Sequence, residues 1–76
     1  MTNSVMLEKF IRESGIKRNA ILEKTRIKSY STLRDKIWNR TEFLASEIKT
    51  MCDILQLTSE QCEAIFFADD AESHSA

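Results

Sequence analysis

The side chains with most to offer chemically are cations, and they are unevenly spread. Residues 1–40 hold ten Lys and Arg (Lys9, Arg12, Lys17, Arg18, Lys24, Arg26, Lys28, Arg34, Lys36 and Arg40) against four acids, a surplus of six positive charges. Residues 41–76 hold Lys49 against eight acids, a deficit of seven. The formal net charge of −1 therefore conceals a basic half and an acidic half. A polyanion would meet the first and be repelled by the second, which limits indiscriminate sticking. The alternative is clustering on solvated helix faces with no functional meaning.

Covalent chemistry is poorly served. His74 stands alone, and no Ser-His-Asp, Cys-His or phosphate-cradling glycine pattern occurs. Cys52 and Cys62, ten residues apart on apolar helical faces, have no His or Cys neighbours at metal-ligand spacing. They read as buried thiols in a reduced, cytoplasmic protein rather than as a zinc site. No metal, cofactor or small-molecule substrate is expected, and the chain does not read as an enzyme. At 76 residues it has room for one modest core, so function belongs on a surface or at an assembly interface. Charged residues interrupt every apolar run short of the roughly 20 needed to cross a bilayer, so no membrane partner is expected.

The elements that must position these cations are helices, since the chain has one glycine and no proline. Spacing predicts a first helix over Ser4–Ser14, capped by Asn3 or Ser4 and closed by Gly15. A short second helix covers about Lys17–Lys24 and breaks within Thr25-Arg26-Ile27-Lys28. Ser29 or Ser31 starts a third, with Leu33 and Ile37 inward and Asn39 as a left-handed end. A fourth, about Ala45–Leu55, aligns Ile48, Met51, Cys52 and Leu55. Thr58-Ser59-Glu60-Gln61 has the capping-box form and opens a fifth with Cys62, Ile65 and Phe66 on its apolar face. Phe10 and Phe43 complete the predicted core. The sum is an all-α protein, a compact orthogonal bundle of about five short helices over residues 1–68, with 69–76 an acidic tail lacking fixed structure.

Positive charge and a polar-fronted helix coincide between Lys17 and Asn39. Two helices joined by a tight turn, the second exposing its first residues, is an arrangement that fits the DNA major groove. Here the sequence resembles the phage Cro and CI repressor type of helix-turn-helix, also called the Xre type. Glu13-Ser14-Gly15-Ile16 and Lys17 through Lys24 are similar to the lead into that family's second helix. Ser31-Thr32-Leu33-Arg34-Asp35-Lys36-Ile37 resembles its recognition helix. Asn39-Arg40-Thr41-Glu42-Phe43 with Ser46-Glu47-Ile48 resembles the loop and helix that follow, and Ile65-Phe66-Phe67 the closing segment of short phage members. The resemblance spans about residues 5–68 and implies a lambda-repressor-like DNA-binding domain.

Three departures carry structural expectations. Leu22 and Arg26 stand where the family has a small Ala and a turn Gly, and one extra residue precedes Leu33. Leu22 should push the two helices apart, and Arg26, which resists a left-handed conformation, should lengthen the turn. Leu44, where a capping Thr is frequent, should remove that side-chain cap from the fourth helix.

Under the resemblance, Tyr30, Ser31, Thr32, Arg34 and Asp35 are candidate base contacts, and Lys17, Arg18, Lys28, Arg40 and Thr41 candidate phosphate contacts. Each has a plainer alternative: capping by Ser31, dipole compensation by Asp35, solvation for the cations. Trp38 could edge the core, stack on sugars or join a dimer contact. Phe66 and Phe67, adjacent on one helix, cannot both face inward and suggest a dimer surface. The implied protein is a phage or prophage transcriptional regulator or repressor, partnered by a double-stranded DNA operator and by a second copy of itself. The competing expectation is a helical protein-interaction module, regulator-binding or antitoxin-like, that does not read DNA.

Overall fold

A computed structural model describes residues 1–68 of the chain; the expected acidic tail, 69–76, lies outside the described residues. Five helices are present among them and no strand: α1 Ser4–Ser14, α2 Arg18–Thr25, α3 Tyr30–Ile37, α4 Ala45–Ile54 and α5 Ser59–Phe66. None is long and apolar enough to cross a membrane. α2 packs on α3 and α4, while α1 packs on α3 and α5. The core between them is built of Leu7, Ile11, Ile21, Ile27, Leu33, Ile37, Met51, Leu55, Ile65 and Phe66. Phe10, Phe43, Ile48 and Leu22 are half-buried against it. Phe43 meets Phe66 edge to face, with centroids 5.3 Å apart, a favoured aromatic geometry.

Helix ends follow local chemistry. The Asn3 carboxamide oxygen accepts from the Met6 N–H at 3.2 Å, and Gly15 closes α1 at φ 73°. A Cβ at Gly15 would meet nothing within 4 Å, so glycine is there for its backbone freedom and not for space. Ser29, not Ser31, caps α3, accepting from the Thr32 N–H. Asn39 is left-handed at φ 66°, and the Arg40 N–H returns 2.8 Å to the Asp35 carbonyl, the signature of a Schellman end. Gln56 ends α4 in the same manner, at φ 53° with the Leu57 N–H on the Cys52 carbonyl.

The α2–α3 turn corrects an expectation. Arg26 does adopt the left-handed conformation, at φ 64° and ψ 24°. The buried Thr25 hydroxyl makes this workable: it donates to the Ile21 carbonyl at 2.7 Å and accepts from the Ile27 N–H at 3.4 Å. The chain thus turns without glycine, and Ile27 drops into the core directly after it.

As expected, Leu44 gives α4 no side-chain cap, but the start of the helix is not left bare. The Leu44 N–H donates 2.8 Å to the Glu47 carboxylate, the backward half of a capping box, even though leucine itself caps nothing. Glu47 is buried and receives the Lys36 ammonium at 2.9 Å, which in turn donates to the Glu42 carbonyl at 3.1 Å. One carboxylate therefore caps α4 and ties it to α3.

The cysteines are corrected too. Cys52 and Cys62 are joined by a disulfide rather than kept as separate buried thiols, with Cα atoms 6.1 Å apart, inside the usual range for the bond. Both sit half-buried on facing helical surfaces, so the apolar spacing that suggested thiols also brings the sulfurs together. The bond ties α5 to α4.

Candidate nucleic-acid interface

Helix α2 begins without a side-chain cap, Lys17 standing at the capping position, and has no acid in its first turn. Backbone N–H groups at such a helix start carry partial positive charge and point outward. Lys17 and Arg18 are both exposed there and add full charges. Helix α3 likewise has no acid in its first turn, and its first residues, Tyr30 and Ser31, are exposed.

These two helix starts adjoin. The Arg18 guanidinium lies over the Tyr30 ring, 4.5 Å from its centroid, well within cation–π range. Beside them the hydroxyls of Ser29, Ser31 and Thr32 form a cluster, Ser29 lying 3.2 Å from Ser31 and 3.0 Å from Thr32. Thr32 is half-buried in that cluster, whereas Ser31 keeps an exposed edge. Lys28 is exposed between the turn and the Ser29 cap.

Further along α3, Arg34, Asp35, Trp38 and Arg40 line one surface hollow of about 290 Å³. Arg40 approaches the Asp35 carboxylate at 3.8 Å, an exposed and therefore weak pair. Trp38 is 49 % exposed and ends the helix, so it edges the core without entering it. Thr41 faces elsewhere: it lines a separate hollow with Met1, Thr2, Asn39, Phe43 and Phe67. The structure thus brings together Arg18 with Tyr30, and Arg34 with Asp35 and Arg40; Thr41 is tied to the same helix end through its N–H, 3.4 Å from the Asp35 carbonyl, but lines the other hollow.

Two features escape a reading by charge alone. Lys36, counted among the ten cations of the basic half, is spent on Glu47 with only 12 % of its side chain exposed. The acid at the third position of α4, in Leu44-x-x-Glu47, was the one available signal for it. Asn39 is the second: its side chain accepts from the Thr2 N–H at 2.8 Å and donates to the Thr2 carbonyl at 2.9 Å. The Ser4 hydroxyl donates to the Ile37 carbonyl alongside, at 2.6 Å. The chain start thereby clamps the end of α3.

The suggested dimer surface also changes. Phe66 is 4 % exposed and part of the core, so it offers nothing to a second copy; Phe67 is 40 % exposed. Successive helical residues point about 100° apart, and Phe66 took the inward direction to meet Phe43.

No protein-family model, curated protein or solved structure was found to match this chain.

Proposed function

We propose that this protein is a sequence-specific DNA-binding transcriptional regulator of the phage Cro and CI repressor type, with α3 entering the major groove of a double-stranded operator. The observation that carries this reading is the Arg18–Tyr30 stack, which sets the uncapped, cationic start of α2 against the exposed start of α3. A helix start free of acids and flanked by cations suits a phosphate, and an adjoining helix start with exposed Ser31 and Arg34 suits base edges. Lys17, Arg18, Lys28 and Arg40 hold phosphates, and Ser31 and Arg34 read bases. Thr32, held in the hydroxyl cluster, and Asp35, beside Arg40, contribute less directly.

The reading is one of binding, not catalysis, and calls for no cofactor. Of the pair Phe66 and Phe67, Phe67 is the one left exposed for a homodimer whose two recognition helices would meet half-sites about one DNA turn apart. A regulator of this phage type would act in the cytoplasm, whose thiol pool keeps most cysteine pairs reduced. The Cys52–Cys62 bond is then the feature most sensitive to its surroundings.

A second reading, an interaction module that binds another protein, is favoured by Val5, Leu44 and Phe67, apolar side chains that stand exposed. Titration of mixed-sequence duplex DNA at rising salt separates the two. A DNA binder loses affinity steeply with salt, and Arg18→Ala or Arg40→Ala each lowers the logarithmic slope by about 1. Ser31→Ala instead alters which duplexes are selected from a random pool. Salt-insensitive or undetectable duplex binding would favour the interaction module.

A further inference from the structure

We infer that Tyr30 is a positioning residue: its ring holds the Arg18 guanidinium in place at the start of α2, and it does not itself read a base. The functional meaning rests on the DNA-binding reading above, while the contact is a property of the free protein.

Tyr30 and Arg18 are each the first residue of their helices. With the guanidinium 4.5 Å from the centroid, one face of the ring is covered by Arg18. A base could stack only on the opposite face of a side chain that is 36 % exposed. Among the described residues, the salt bridges join Lys36 to Glu47 and Arg40 to Asp35, and no carboxylate pairs with Arg18. The ring is therefore the group that orders it. A guanidinium over one ring face carries five N–H donors, more than that contact can occupy, so donors remain for a bidentate acceptor. An arginine ordered before the ligand arrives loses less freedom on binding. Lysine at this position would bring the charge without the flat face or the fork.

This division of labour separates Tyr30 from its neighbour Ser31. Removing the ring weakens DNA binding uniformly across sequences, as removal of a phosphate contact does. Removing the phenolic hydroxyl alone changes nothing, because the hydroxyl takes no part in the stack.

The test compares Tyr30→Phe, Tyr30→Leu, Arg18→Ala and the Tyr30→Leu/Arg18→Ala double variant. The free protein is read by the NMR resonance of the Arg18 Nε proton. A ring beneath it shifts the resonance upfield in the wild type and in Tyr30→Phe, and the shift is lost in Tyr30→Leu. Duplexes of mixed sequence are then titrated at several salt concentrations. Tyr30→Phe is expected to bind as the wild type does, with the same selected sequences. Tyr30→Leu is expected to bind about two- to fivefold more weakly, the range set by an exposed cation–π contact, with a reduced salt slope and an unaltered sequence preference. The double variant is expected to bind no more weakly than Arg18→Ala, since the two residues act as one. Far-ultraviolet circular dichroism confirms that each variant folds.

Three results overturn the inference. An unshifted Arg18 resonance in the wild type removes the stack. A changed sequence preference in Tyr30→Phe makes Tyr30 a base reader. Additive losses in the double variant make the residues independent. Wild-type protein that shows the shift but binds no duplex in a salt-sensitive way overturns the DNA-binding reading, and with it the role assigned to the stack while leaving the contact itself.

Discussion

The α2–α3 pair and the α4–α5 pair are of nearly equal length, yet they treat their polar groups in opposite ways. In α4–α5 the ends are closed from within. Glu47 satisfies the start of α4, and Thr58 and Gln61 cap α5 reciprocally at 3.1 and 2.9 Å. The Cys52–Cys62 bond links the helices covalently, and both carry an acid in the first turn. In α2–α3 the start of α2 is uncapped, neither first turn holds an acid, and the exposed cations point outward. Unsatisfied helix ends are a cost to stability. The one start left bare, that of α2, lies in the half for which binding is proposed, whereas Ser29 caps α3.

That contrast can be broken or sharpened by mutation, beginning where the largest effect is expected. Glu47→Ala removes the partner of a largely buried ammonium and uncovers the Leu44 N–H, so a loss of about 3 kcal/mol in urea unfolding is expected. A loss below about 1 kcal/mol, ordinary for surface positions, would show that the acidic half is not anchored through this carboxylate. Cys52→Ser opens a loop of ten residues' separation, and loop-closure entropy puts the loss near 2–3 kcal/mol. Adding a thiol reductant to the wild type should lower its unfolding free energy in urea by the same amount and leave that of Cys52→Ser unmoved. Smaller again, Arg26→Gly relieves left-handed strain of about 1 kcal/mol while losing some of it to backbone entropy. A gain of about 0.5 kcal/mol is the expected net of those opposing terms. Arg18→Ala should change thermal stability least, by under about 0.5 kcal/mol, so that a large shift in melting temperature would merge the two halves that the contrast separates.

Most of the fold was legible in the sequence because its signals are local. Asn3, Gly15, Ser29, Asn39 and the Thr58–Gln61 box each act within a few residues of the helix end they define, and the five helices begin and end within one or two residues of the predicted bounds. What escaped was either a rule overridden nearby or a contact between distant residues. Arg26 was read by intrinsic preference, which the Thr25 hydroxyl overrides. Lys36–Glu47, Cys52–Cys62 and Asn39–Thr2 join different elements, and spacing along one helix says nothing of which side chains meet across two. The candidate site divides the same way. That Lys17, Arg18, Lys28, Tyr30, Ser31, Arg34 and Arg40 are exposed follows from their place off the Leu33–Ile37 stripe and its α2 counterpart. That Arg18 sits on Tyr30, or that Lys36 is withdrawn, depends on how α2, α3 and α4 pack.

The clamp of Asn39 on Thr2 has a kinetic corollary. Those residues are 37 positions apart, and the Asn3 N–H reaches the Ile65 carbonyl at 2.6 Å over a still longer span. Closing loops of that size costs chain entropy of roughly 3 kcal/mol before any hydrogen bond is made. These ties are therefore expected to form after the helices have docked, downstream of the folding barrier. Asn39→Ala should leave the folding limb of a chevron plot in place and raise the unfolding limb. On that outcome Thr2 and Asn3 act as a latch on the lifetime of the native state, fastened last and released first.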